Sequence, residues 1–455
     1  MIQNFDHIKN IFCIGIGGIG MSALARYWKN AGKKVAGYDL NETNLTRKLV
    51  SESIDVFYID NPDLIPTDFL TEETLVVRTP AVPDNLSVLK IWEKYGKEIM
   101  RRSQMLALIA SNHKVYAVAG THGKTTVTTL LAHLFNQRTQ GINSFMGGIS
   151  RNYETNILLS NTNEMVVEAD EYDKAFLQLN PNSAIITSIE ADHLDIYHNI
   201  ENLISAFNQF ADQVSPQGFI ICKKNILLKP NKNTNLITYH AEDSTADIYA
   251  KEIKIIEGCY KFDLVTPFGC IKSLQIKIPG YFNFENAIAA SSFALKAGLN
   301  EELLKKGLLT FKGVERRFEL HNNYPETYID DYAHHPGEID ACLKSIRTIF
   351  PNRHVTVIFQ PHLYSRTKNL EPEFIKSLSN SNLTVVTDIY PAREKPIEGV
   401  SSQLLASKIK NGKYVAFNNI IQFVENQRFD ILITMGAGNI GNKALEIKKI
   451  LDSRK

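Results

Sequence analysis

The sequence predicts an α/β protein of three domains built on parallel sheets. Its 455 residues, at about 100–200 per domain, allow two to four domains, with three the central expectation. In three places a short apolar strand runs into a glycine-rich turn and then a helical pattern. Ile11 to Gly15 leads to a helix from Met21 to Ala31. Lys114 to Ala119 leads through Gly120–Lys124 to a helix ending at Asn136. Asp430 to Thr434 leads through Gly436–Gly441 to a C-terminal helix. Each turn aims backbone N–H groups and a helix N-terminus at one point, which suits a phosphate or another anion. Strand and helix patterns alternate elsewhere too, as in Ala184 to Ile189 followed by Asn199 to Val214, and such alternation implies parallel sheets. Ile248 to Pro279 differs. It reads as β-hairpins with turns near Glu257-Gly258 and Phe268-Gly269, an antiparallel patch within the middle domain. Boundaries are expected near 107/108 and 314/315, and no tandem repeat is apparent.

Composition removes several function classes. Fifty basic residues against 49 acidic leave a net charge of +1, so neither nucleic acid nor an anionic membrane is an expected partner. With 44% hydrophobic and 22% charged residues, wholesale disorder is excluded. The uncharged run from Ile11 to Ala25 is glycine-rich and too short to span a bilayer. The segment before it carries Asp6, His7 and Lys9 and does not read as a signal peptide. Cys13, Cys222, Cys259, Cys270 and Cys342 are scattered without a C-x-x-C, which fits a reducing, cytoplasmic setting.

The first glycine loop is Gly15-Ile-Gly17-Gly18-Ile-Gly20, with Asp39 following Gly20 by 19 residues. By itself this is the dinucleotide fingerprint and suggests an NAD-dependent dehydrogenase. The pattern recurs at Gly436-Ala-Gly438-Asn-Ile-Gly441, however, and the chain carries a separate triphosphate loop that a dehydrogenase does not need. The surviving expectation is close approach of this backbone to a diphosphate.

The triphosphate loop is Gly120-Thr121-His122-Gly123-Lys124-Thr125-Thr126. It is shorter than G-x-x-x-x-G-K-[ST], because Val118 stands where the first glycine belongs. Its parts are still those of a phosphate cradle: two flexible glycines, Lys124 for the β/γ-phosphates, and Thr125 as a Mg²⁺ ligand. Two strand ends downstream bring acid clusters, Glu168-Ala-Asp170-Glu171-Tyr-Asp173 and Glu190-Ala-Asp192-His193-Leu-Asp195. Nucleotide phosphates bring Mg²⁺, which takes one or two carboxylates. A second ion held by Glu168 and His193 would screen the γ-phosphate from an anionic acceptor.

Together these segments resemble the ATP-dependent Mur ligase family. The resemblance extends through Arg101-Arg-Ser-Gln-Met105, Asn283-x-x-Asn286, Arg316-Arg-Phe318, Asp330-Asp-Tyr-Ala-His-His-Pro336, Gln360-Pro-His-x-Tyr-Ser-Arg366 and Met435-Gly-Ala-Gly438. It implies a Rossmann-like UDP-sugar domain (1–107), a central P-loop-type ATPase domain (108–314) and a Rossmann-like amino-acid domain (315–455). The activity implied is ligation of L-alanine to UDP-N-acetylmuramate through an acyl phosphate, with ATP and two Mg²⁺ ions, by a monomer or homodimer. Gly15, Gly17, Gly18, Gly20 and Asp39 would serve the UDP-sugar. Residues 120–126 with Asn283, Asn286, Arg317 and Asp331 would serve ATP, the last two from beyond a hinge near 314. Tyr332, His334 and Arg366 would face L-alanine. Lys124, Glu168, His193 and His334 are the candidate catalytic residues, with the two histidines open as the base. Leu363 stands where many relatives carry arginine, the stretch from Pro80 to Leu86 matches only loosely, and no lysine between His193 and Asp212 offers a site for carbamylation. The rivals are a ligase that attaches a preformed tripeptide to the same UDP-sugar, the dehydrogenase, and a nucleotide-sensing P-loop protein without ligation.

Overall fold

A computed structural model describes residues 7–230, 234–256, 258–267, 269–321, 325–392 and 394–454. The fold is a three-domain α/β arrangement with one sheet in each domain.

The first sheet contains β1 (Asn10–Ile14), β2 (Lys34–Tyr38), β3 (Asp55–Phe57), β4 (Thr74–Arg78) and β5 (Ile99–Arg101), all parallel, in the order 3-2-1-4-5. β1 is buried along its whole length, as its unbroken apolar run requires of a strand covered on both faces. Helices α1 (Ile19–Asn30), α2 (Asn44–Ser51), α3 (Ser87–Lys94) and α4 (Arg102–Ala110) accompany it. The chain order reverses between β2 and β4, so the crevice beyond β1, where the glycine loop lies, is where such sheets take ligands.

The second sheet has ten strands, in the order 15-14-13-12-11-10-6-9-7-8. They are β6 (Lys114–Ala119), β7 (Asn143–Ser150), β8 (Thr155–Leu158), β9 (Glu164–Glu168), β10 (Ser183–Ile186), β11 (Phe219–Lys223), β12 (Asn235–His240), β13 (Ile248–Ile256), β14 (Cys259–Thr266) and β15 (Gly269–Ile276). Its helices are α5 (Lys124–Phe135), α6 (Leu194–Tyr197), α7 (Ile200–Asp212), α8 (Tyr281–Lys296) and α9 (Glu301–Thr310). β6 lies parallel between β9 and β10, with Val118 level with Glu168 and Ala119 level with Ile186. That register brings the triphosphate loop and both acidic segments to one end of the sheet. β13, β14 and β15 are neighbours joined by short connections, where hairpins are expected; Glu257 and Phe268 lie outside the described residues. β8 pairs antiparallel with β7 at the opposite edge, a second antiparallel element that the sequence pattern does not announce.

The third sheet contains β16 (Glu319–His321), β17 (Thr327–Asp331), β18 (Val355–Phe359), β19 (Leu383–Val386), β20 (Gly412–Tyr414) and β21 (Ile431–Met435), in the order 16-17-21-18-19-20. Only β16 is antiparallel to its neighbour among these strands. Helices α10 (Pro336–Ile349), α11 (Tyr364–Asn369), α12 (Glu371–Leu378), α13 (Ser402–Lys408), α14 (Ile420–Glu425) and α15 (Ala444–Asp452) complete it. The Gly436–Gly441 turn leads first into a 3₁₀ turn at Asn439–Lys443, not directly into a helix.

By compactness the chain forms two units: Met1–Lys254 with Lys261–Ile276 and Glu285–Lys312, and Ile255–Tyr260 with Lys277–Phe284 and Gly313–Lys455. The first unit joins the first two sheets through one hydrophobic core running from Ile11 and Leu24 to Phe207 and Phe210. Within it, Asn156 of β8 is fully buried and ties α1 to the central sheet. Its Oδ1 accepts from Arg26 Nη1 at 2.5 Å, and its Nδ2 donates to Ile19 O at 2.5 Å and Ser22 Oγ at 2.9 Å. Arg26 is buried, and Nε and Nη2 grip Glu52 at 2.7 and 3.0 Å. No helix among the described residues is long and apolar enough to cross a membrane.

Asn156→Ala leaves the buried Arg26 Nη1 without the acceptor it has here, which costs about 1–3 kcal/mol. The urea midpoint should fall accordingly; an unchanged midpoint would refute the clasp.

Candidate active site

The triphosphate loop folds as it does because its glycines meet neighbours too close for a side chain. Gly120 has φ +136°, and a Cβ there would lie 2.1 Å from Thr187 Oγ1. Gly123, before α5, has φ +82°, and its Cβ would lie 2.6 Å from Asn286 Oδ1. The loop does not leave every amide free for phosphate. Thr121 N–H donates to Ser188 O at 3.0 Å and His122 N–H to Ser188 Oγ at 2.8 Å, so the end of β10 shapes the cradle. His122 Nε2 lies 3.5 Å from Glu190 Oε2. Thr126 is buried in the first turn of α5.

Lys124 is folded back, with Nζ donating to Gly120 O at 2.7 Å and Glu171 Oε1 at 2.8 Å. Glu171 is completely buried and also stands 3.6 Å from His193 Nε2. Burial opposes every charge in this cluster, but the opposite charges win. Lys124 and the His193 contact hold the Glu171 carboxyl below its usual range, and Glu171 with its acidic neighbours raises Lys124. Glu171 and Asp192 likewise raise His193. The sequence pattern assigns Glu171 no role; its signal is a third acid beside Glu168 and Asp170.

Glu168 makes a separate set of hydrogen bonds. Its Oε1 accepts from Thr125 Oγ1 at 3.1 Å and its Oε2 from Gly147 N–H at 3.0 Å. A Cβ on Gly147 would meet that carboxylate at 2.2 Å, a neighbour that no motif in the sequence singles out. The hydroxyl and carboxylate fit Mg²⁺, a hard ion that takes one or two protein oxygens and completes its shell with phosphate and water. Among the described residues no group of three or more His, Cys, Asp or Glu side chains forms a cation cage. His193 turns to Glu171, not to Glu168. The Asp195 side chain lies outside the described residues.

In the first loop most amides are already engaged. Gly15 and Ile16 N–H donate to Tyr38 O, Gly18 N–H to Gly15 O, and Gly17 N–H to Asp39 Oδ2 at 2.7 Å. Asp39 thus binds the loop itself. A cavity of about 100 Å³ opens beside Gly20 and runs past Arg102 to Gly147 and Glu168. On α8, Asn286 faces Gly123 as described, whereas Asn283 Nδ2 donates to Pro279 O at 2.7 Å, a bond back to the preceding turn.

In the second unit the expected residues gather at one end of the third sheet. Asp331 accepts from Phe318 N–H at 2.6 Å and Ala333 N–H at 2.7 Å. Burial nevertheless pushes its carboxyl up to about 7. Arg317 stacks 4.8 Å from the Tyr332 ring centre. His334 Nδ1 faces Tyr332 O at 3.0 Å and Glu338 Oε2 at 3.3 Å, and burial lowers its pKa. The rings of Tyr332, His334, His362 and Tyr390 follow one another at 5.3, 6.0 and 5.7 Å. Arg366 follows on α11, whose first turn is held by Glu394, accepting from Ser365 N–H at 2.9 Å. His362 and Tyr390 were not anticipated as neighbours of His334, because they come from different loops. Leu363 has φ +71°, a strained value for leucine. The glycines of the third turn lie against neighbouring groups. A Cβ on Gly436 would meet Gln360 O at 2.6 Å and one on Gly441 the Arg316 guanidinium at 2.4 Å, so its glycines serve close packing.

Comparison with known proteins shows the family to which the chain belongs. Profiles described as Mur ligase family, catalytic domain; Mur ligase middle domain; and Mur ligase, glutamate ligase domain match residues 10–114, 118–294 and 316–438. The UDP-N-acetylmuramate--L-alanine ligase of Flavobacterium psychrophilum is 42% identical over 99% of this chain and 100% of its own. The chain belongs to the Mur ligase family. Its members are ATP-dependent ligases that form amide bonds and use ATP with Mg²⁺, and this chain is such a ligase. The enzyme of the same description from Phocaeicola vulgatus is 40% identical over 99% of this chain and 100% of its own. The crystal structure of the UDP-N-acetylmuramate-alanine ligase of Thermotoga maritima superposes with a TM-score of 0.83 at 26% identity, covering 98% of this chain and all of that one. A murein peptide ligase from Psychrobacter arcticus shares the fold at TM-score 0.73 and 21% identity, over 98% of this chain and 99% of its own.

Asp331 supports a pH prediction. Its folded pKa of about 7 exceeds the unfolded value of about 3.9, so its contribution to stability is full below about pH 4 and is lost as pH rises through about 7. Replacing it by asparagine should flatten that part of the Tm-against-pH profile relative to wild type. Parallel profiles would show that Asp331 is not raised.

Proposed function

We propose that this Mur ligase joins L-alanine to the lactyl carboxylate of UDP-N-acetylmuramate, with ATP cleaved to ADP and phosphate. The observation that carries the reading is the meeting of Lys124, Thr125 and Glu168 at adjacent ends of β6 and β9, in a chain that matches ligases of that description from end to end. Residues 1–107 are assigned to the UDP-sugar, 108–314 to ATP, and 315–455 to L-alanine.

A carboxylate does not condense with an amine unaided, because its oxygen is a poor leaving group. The acceptor carboxylate attacks the γ-phosphorus, ADP departs, and the acyl phosphate forms. The neutral amine of L-alanine then attacks the acyl carbon, and phosphate leaves. Lys124 moves from Gly120 O and Glu171 to the phosphates, where its charge stabilises the transferring group. Thr125 and Glu168 would hold Mg²⁺, which neutralises phosphate charge there when bound. The second ion assigned to Glu168 and His193 would require His193 to turn from Glu171.

For the base, the surroundings favour His334. Its Nδ1 faces two acceptors, Tyr332 O and Glu338, so Nδ1 carries the proton and Nε2 keeps its lone pair. Burial disfavours the charged ring, whereas His193 is held toward its charged form by Glu171. Asn286, Arg317 and Asp331 remain assigned to ATP, and Tyr332 and Arg366 to L-alanine. Asn283, tied to Pro279, has less support at the nucleotide than Asn286.

ADP release should require ATP, Mg²⁺, UDP-N-acetylmuramate and L-alanine together, and omitting any one should abolish it. A tripeptide accepted in preference to L-alanine would overturn the assignment. Lys124→Ala should end turnover with the fold intact, as judged by circular dichroism. Gly147→Ala should push Glu168 from Thr125 and lower kcat by about 100-fold, the scale of a 1 Å misplacement; near-normal kcat would remove Glu168 from the phosphoryl site.

A further inference from the structure

We infer that Arg102 is a binding residue for the diphosphate of the UDP-sugar, supplying the charge that the first glycine loop lacks. The inference rests on the UDP-sugar reading of that loop and adds a residue to it. The loop was expected to cradle a diphosphate with its own N–H groups. In the structure the amides of Gly15, Ile16, Gly17 and Gly18 are bonded to Tyr38, Asp39 and Gly15 itself. The nearest side-chain charge in the loop's own crossover is the Asp39 carboxylate, of the wrong sign for a phosphate. A dianion seated here would gain from a cation supplied by another element.

Arg102 is that cation. It opens α4, and its guanidinium lies directly against Gly20, where a Cβ would come within 2.4 Å of Nη1. A side chain at this position would force the guanidinium to shift. Both residues border the same cavity, which also reaches Gly147 and Glu168. Of the guanidinium's donors, Nη2 pairs with Asp170 at 3.2 Å. Among the described residues Nε and Nη1 have no acceptor. This differs from Arg26, a buried guanidinium whose Nε, Nη1 and Nη2 are all engaged by Glu52 and Asn156. Arg26 is a clasp; Arg102 is held at one corner, with its side chain 24% exposed and its remaining fork toward the cavity. A planar fork of this kind matches two phosphate oxygens.

The same cavity leads toward Glu168, so the lactyl carboxylate is the competing anion. Binding of UDP-N-acetylglucosamine, which has the diphosphate but no lactyl group, separates the two. By titration calorimetry on the full chain, Arg102→Ala should weaken both UDP-N-acetylglucosamine and UDP-N-acetylmuramate by about 10- to 100-fold, the scale of a charge-assisted hydrogen-bonded contact. Binding of a non-hydrolysable ATP analogue with Mg²⁺ should change less than about twofold. Arg102→Lys should recover part of the loss, because the charge survives and the fork does not. Three results would overturn the inference: weakening confined to UDP-N-acetylmuramate, unchanged affinity for both sugars, or parallel loss of ATP-analogue binding and Tm, which marks a structural clasp. Failure of wild-type protein to bind either UDP-sugar would instead sink the reading of the loop, and Arg102 with it.

Discussion

An ammonium group cannot be buried in a phosphate cradle without a counter-charge, and the central domain is arranged around that constraint. Lys124 is folded back into the loop, and uncompensated it would carry a large desolvation penalty. Glu171, wholly enclosed, meets it at 2.8 Å. The second role of Glu171, at His193, follows from strand order: β9 and β10 flank β6, so the segments after them arrive on opposite sides of the lysine. Removing one charge would leave the others buried and unmatched. The triad therefore fixes the position of Lys124 between the two acidic segments.

Around this triad, glycine sets the distances. Gly120 admits Thr187, Gly123 admits Asn286, and Gly147 admits the Glu168 carboxylate. In each case a polar side-chain oxygen occupies the space a methyl group would fill. The same device appears at Gly20 with Arg102, in the first domain. The shared core and the Asn156 clasp bind that domain to the central sheet, so the two loops are held in one compact unit.

The architecture was legible because it is local. Apolar strands with 3.6-residue helical patterns after them give β1–α1 and β6–α5 within a few residues of expectation. The candidate residues inside motifs, Lys124, Thr125 and Glu168, were legible for the same reason. What escaped came from register and from side-chain direction. Gly147 matters only because β7 lies beside β9. His362 and Tyr390 join His334 only because three strand ends of the third sheet meet. Asp39 sits at the spacing of a ribose-binding acid, yet its carboxylate turns to Gly17. Spacing reports where a side chain begins and says nothing about where it points.

The three glycine turns make that point most sharply. They share one pattern, a strand, closely spaced glycines and a helix, and suggested three anion sites. Only the second combines positive-φ glycines with a lysine in the loop itself. The first engages the amides of Gly15 to Gly18 within its own domain, and Arg102 of α4 lies against its Gly20. The third leads into a 3₁₀ turn, has its glycines pressed against Gln360 and Arg316, and offers Gln360 Oε1 an amide from Ile440 at 2.8 Å. There the glycines let the ends of β18 and β21 close together, which steadies the sheet end bearing Asp331 and His334. One motif thus performs three physical tasks, and the side chain packed against each glycine decides which.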